Sequence, residues 1–67
     1  MIHDPAIDRA ANALIRQYGD EAPAHAAMRA DTMLKRGDVK GYAVWKGILK
    51  AVDALLAKDR PAGTKPH

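Results

Sequence analysis

The dipeptide glycine–aspartate occurs twice in this chain, at Gly19-Asp20 and Gly37-Asp38, and apolar residues recur at helical spacing on both sides of each copy. Glycine takes without strain the left-handed conformation that ends a helix, and aspartate accepts the open N–H groups that begin one. Each pair therefore reads as a stop followed at once by a start. Asp4-Pro5 opens the first segment similarly, with the carboxylate as N-cap and proline at N1, where its missing N–H leaves nothing unpaired. The charges agree: Asp4, Asp20, Glu21 and Asp38 stand at the predicted N-termini, and Arg16, Lys35, Arg36 and Lys58 near the C-termini, as helix dipoles favour. Strand signals are absent. The pattern predicts an all-α fold with helices over about 5–18, 21–36 and 39–57, a small three-helix bundle built on a long antiparallel αα-hairpin. In this reading residues 1–57 form a single helical domain, and 58–67, with two prolines and a glycine, form a disordered C-terminal tail.

Each predicted helix has an apolar face. Ile7, Ala10, Ala11, Leu14, Ile15 and Tyr18 share one side of the first, and Ala22, Ala26, Ala27, Ala30, Met33 and Leu34 share an arc of the second. On the third, Gly41, Val44, Trp45, Ile48, Leu49, Val52, Leu55 and Leu56 take nearly half the circumference, opposite Lys40, Lys46, Gly47, Lys50 and Asp53. That arc is wider than the stripe of about 100° that faces one core, so the third helix is expected to touch two partners. These are either both other helices or one of them and another chain. Gly41 sits mid-arc at a cost of about 1 kcal/mol in helix propensity, and close approach by the alanine face of the second helix is the expected offset. Gly47, on the polar side, has no packing reason in the sequence. Gly41, Val44, Trp45, Ile48, Val52 and Leu55 are thus the candidate interface or packing positions, with Trp45 filling space that the alanines leave.

The chain is 48% hydrophobic, but much of that is alanine, with no phenylalanine and a single tryptophan. Alanine favours helix and buries little area, and 67 residues leave no room for a second core. Domains this small usually need a staple. With no cysteine, neither a disulfide nor a thiolate zinc site is available, so self-association is the device that remains. A homodimer sharing the Trp45 face, or an unidentified protein partner, is the expectation. No apolar run reaches the roughly 18 residues of a membrane span. The stretch MIHDPAIDRAANAL lacks a basic n-region and carries two aspartates, which argues against signal and transit peptides, so a cytoplasmic location is expected by default.

Catalytic chemistry has little to draw on. The chain holds no serine and no cysteine, its threonines are Thr32 and Thr64, and no glycine-rich phosphate loop is present. We expect no enzyme, no catalytic residue and no cofactor. His3, His25 and His67 are scattered without i,i+4 spacing, so no metal site is expected. Asp31 and Lys35 form an ordinary i,i+4 surface pair. Arg36-Gly37-Asp38 spells an adhesion tripeptide, yet each residue has a local reason as helix end, C′ glycine and N-cap. The net charge of +3 and pI near 9.5 permit an anionic partner without requiring one. Arg29, Arg36, Lys40, Lys46 and Lys50 are the candidate anion or nucleic-acid contacts, making a nucleic-acid-associated accessory protein the alternative function. Interspersed acids dilute that field. A helix-turn-helix is disfavoured because the helix before the glycine turn is long.

The run RADTMLKRGDVKGYAVWKGILKAVDAL, residues 29–55, contains Arg29-Ala30-Asp31, Met33-Leu34, Gly37-Asp38, Gly41, Ala43-Val44-Trp45, Ile48 and Ala51-Val52. In these features the chain resembles a family of short uncharacterised alphaproteobacterial proteins, a domain of unknown function, over residues 5–57. The resemblance implies a bacterial, cytoplasmic, autonomous small protein and brings no activity, cofactor or functional residue with it. Arg29-Ala30-Asp31 is the matched element that capping and packing leave unexplained. Its arginine is expected to lay its stem along the core edge and pair its guanidinium with a carboxylate such as Asp53.

Overall fold

The computed structural model describes residues 5–58; Asp4 with its expected cap, His3, and residues 59–67 of the expected tail with His67 lie outside the described residues. Among the described residues the fold is all-α, with no strand. Helix α1 spans Pro5–Tyr18, a 3-10 turn covers Gly19–Glu21, α2 spans Ala22–Lys35 and α3 spans Val39–Lys58. Lys58, expected to begin the tail, is the last residue of α3.

The expectation of three separated helices needs correction at the first junction. No non-helical residue stands between Pro5 and Lys35, so α1 and α2 make one bent helical rod, with α3 folded back against it. Gly19 does adopt the left-handed conformation, at φ 58°. Asp20, however, lies inside the 3-10 turn, and the N-cap position of α2 is Glu21, which makes no side-chain capping bond. Proline explains the change. An aspartate at N-cap accepts from the second or third N–H that follows. Here the Ala22 N–H is given to the Gly19 carbonyl and Pro23 has none, so the chain bends without a full stop.

The second junction is complete. Gly37 has φ 77°, the Gly37 N–H donates to the Leu34 carbonyl at 3.0 Å, and the Asp38 N–H donates to the Met33 carbonyl at 2.9 Å. This pair of bonds is the Schellman motif, which satisfies the last carbonyls of α2. Asp38 then caps α3: its Oδ1 accepts the Gly41 N–H at 2.8 Å, while its carbonyl accepts the Tyr42 N–H at 2.9 Å.

The core is built from small side chains. Ala11 of α1, Ala22, Ala26 and Ala30 of α2, and Ile48 and Val52 of α3 are buried. Ile7, Ala10, Leu14, Ile15, Trp45, Leu49, Ala51, Leu55 and Leu56 pack against that cluster while keeping part of their surface in solvent. Among the described residues the largest fully buried side chain is Val52. Helix α3 packs most extensively on α2 and next on α1, so its wide arc does meet both helices. The arc read on α2 is narrower than expected: Ala22, Ala26 and Ala30 are buried and Met33 is half-buried, whereas Ala27 is exposed and Leu34 is 55% exposed. None of the described helices is long and apolar enough to cross a membrane.

Both glycines inside α3 face a packed neighbour. A Cβ at Gly41 would come within 2.8 Å of the Met33 Sδ and 2.7 Å of the Asp38 Oδ2. The expected alanine backbone is therefore not what meets Gly41. The space is taken by Met33, in the last turn of α2, and by the carboxylate that caps α3. Gly47, assigned above to the polar side, instead faces α1, where a Cβ would stand 3.2 Å from the Ile7 Cδ1. The correction has a simple cause: α1 covers a flank of α3 that the hydropathy pattern alone marks as open.

Candidate interaction surface

Two neighbouring helices leave a shallow groove along their outer edge. Its α2 wall is Ala27, Ala30, Asp31 and Leu34, and its α3 wall is Tyr42, Lys46 and Leu49. The sequence contains the signal for it, since Ala27 and Leu34 are seven residues apart, as are Tyr42 and Leu49. Seven residues are nearly two full turns, so each pair forms a stripe along one helix edge. The groove volume of ≈ 190 Å³ lies below the roughly 300–1,000 Å³ typical of small-molecule sites and is of a size for protein side chains.

Cations here rest on aromatic rings. The Arg29 guanidinium lies 5.5 Å from the Trp45 ring centroid, and the Lys46 ammonium lies 6.0 Å from the Tyr42 centroid. The expected Arg29–Asp53 ion pair is absent among the described residues; the planar guanidinium covers the half-buried indole instead, as a flat, weakly hydrated cation readily does. Asp31 and Lys35 do pair, at 3.3 Å. With both side chains largely exposed, that bridge adds little stability. At the bend, the Tyr18 and His25 rings stack with centroids 3.6 Å apart and planes 13° from parallel, an arrangement the sequence reading missed.

The six candidate packing positions fall into three environments. Ile48 and Val52 lie in the core, Gly41, Trp45 and Leu55 are half-buried, and Val44 is 48% exposed. The five candidate anion contacts do not converge. Arg29 is held on Trp45, and Lys46 reaches over Tyr42 beside Asp31 in the groove. Lys50 borders a depression shared with Lys46, Gly47, Leu49 and Asp53, while Arg36 and Lys40 flank the Gly37 turn. A second basic pair, Arg9 and Arg16, stands with Asn12 and Ile15 on α1. Among the described residues no three of histidine, cysteine, aspartate and glutamate gather as a metal site would need. Comparisons with protein-family models, with curated proteins and with solved structures find no match to this chain.

Proposed function

We propose that this is a non-catalytic helical protein that acts through protein–protein contact and self-associates as a homodimer. In this reading the α2–α3 hairpin, with α1 packed across it, is the assembly unit of a three-helix subunit. The observation that carries it is the size of the core: every described side chain larger than Val52 keeps some surface in solvent. A leucine side chain gains roughly 1.5–3 kcal/mol on full burial, so a second copy that covers the surface Leu34 and Leu49 still expose supplies stabilisation the monomer lacks. A cytoplasmic location and the bacterial family resemblance of residues 29–55 fit the same picture.

Light scattering after size exclusion, at micromolar concentration, tests it. The expected result is a particle of twice the 7.2 kDa chain mass, and a monomer across the concentration range would overturn the proposal. The nucleic-acid alternative gains no support from the arrangement of charge. Two of its five cations, Arg29 and Lys46, already sit on rings, Asp31 shares the groove with Lys46, and Asp53 stands beside Lys50.

A further inference from the structure

We infer that the α2–α3 groove, rather than the Trp45 face over which Arg29 lies, is the dimer surface, with a second copy of this chain docking its own groove face across a two-fold axis. The inference rests on the self-association proposed above and names its site. Charge is the first argument. The two walls of the groove carry opposite signs: Asp31 on α2, whose exposed carboxylate also meets Lys35 at 3.3 Å, and Lys46 on α3. A two-fold contact is self-complementary, so a residue that meets the other across the interface does so twice. Docked face to face, Asp31 meets the partner's Lys46 and Lys46 meets the partner's Asp31. A like-signed groove would repel its own copy.

Shape agrees with charge. Ala27 and Ala30 form a low floor that admits a neighbouring helix, and Leu34, Tyr42 and Leu49 supply apolar relief at the edges. Leu34 is 55% exposed although it sits beside the buried stripe of α2, and a second copy would cover it. The 14 residues of α2 make a face about 21 Å long, and two helices side by side are about 20 Å wide. Two such faces give about 800 Å² of flat projection, and more when side-chain relief is included, close to the lower bound of about 1,000 Å² for a specific interface. The result is four helices around a shared apolar centre, a bundle of familiar type.

The chain's own tail is a poor occupant. Residues 59–67 read DRPAGTKPH, with no leucine, isoleucine, valine, methionine or aromatic ring to fill an apolar groove.

Charge reversal tests the surface. Asp31→Lys and Lys46→Asp, each alone, turn both contacts repulsive, and each is expected to raise the dimer dissociation constant by about ten- to a hundred-fold. Mixed together they restore complementarity at both contacts, so the two variants pair with each other, and the double variant pairs with itself. Far-UV circular dichroism checks that each variant keeps its helix content. If the wild type is a dimer and neither reversal weakens it, or if mixing fails to rescue, the groove is the wrong surface while self-association stands. A monomeric wild type removes the self-association proposal itself, and this one with it.

Discussion

Helix α3 has two flanks with different fates. On one, α1 lies so close that Gly47 has only 3.2 Å between a hypothetical Cβ and the Ile7 methyl. On the other, α2 meets α3 along Ala26, Ala30 and Met33, but the outer edge of that contact leaves Leu34 exposed and Tyr42 and Leu49 half-covered. At 100° per residue Gly47 and Leu49 point about 160° apart, so a single helix carries both surfaces. The covered flank is closed by α1 and adds to the larger packing contact that α3 makes with α2. The open flank, in our account, is completed by another chain. What separates them is side-chain size: one glycine lets α1 settle onto α3, while alanines backed by leucines make a floor with walls.

Enlarging a side chain on each flank breaks the symmetry of this comparison most sharply. Gly47→Leu drives a bulky group into the Ile7 contact, and the overpacking cost of about 1–3 kcal/mol less the roughly 1 kcal/mol of helix propensity regained is expected to lower unfolding stability by up to about 2 kcal/mol, read from urea denaturation. Ala27→Leu, on the exposed edge of the groove, should leave the stability of the subunit within about 0.5 kcal/mol when both are measured at concentrations below the dimer dissociation constant. Equal losses at both positions would show that the flanks do not differ as described.

A smaller effect separates the two junctions that set these flanks. Asp38→Ala removes the bond to the Gly41 N–H and is expected to cost about 1 kcal/mol, whereas Glu21→Ala, at an N-cap position with no side-chain bond, should cost less than about 0.5 kcal/mol. Paired thermal melts resolve the difference. A Glu21→Ala cost equal to that of Asp38→Ala would mean that the bend is capped as firmly as the hairpin turn.

The junctions also show how far the sequence could be read. Both glycine–aspartate pairs were visible, and both glycines have positive φ. The second pair behaves as its residues dictate, because the third residue after Asp38 is Gly41, which has an N–H to give. The third residue after Asp20 is Pro23, which has none, and the same dipeptide there makes a bend. The information was present, but it lay outside the dipeptide. The helices and the alanine stripe were legible because capping and periodicity are local. Gly47 and Arg29 were misread because their partners, Ile7 and Trp45, are distant in sequence and come near only through packing. The groove was half legible. Its two seven-residue stripes can be found on a wheel, but which helix edge is left uncovered depends on where α1 lies.

Two aspartate substitutions at exposed apolar positions of the hairpin test the central claim most directly. Leu34→Asp stands in the groove, and Val44→Asp stands on α3 away from it; both residues are about half exposed, so neither change should unfold the subunit. Sedimentation equilibrium of the two beside the wild type should show Leu34→Asp as a monomer and Val44→Asp still as a dimer. A dimeric Leu34→Asp with a monomeric Val44→Asp would contradict the account and place the partner on the opposite side of α3.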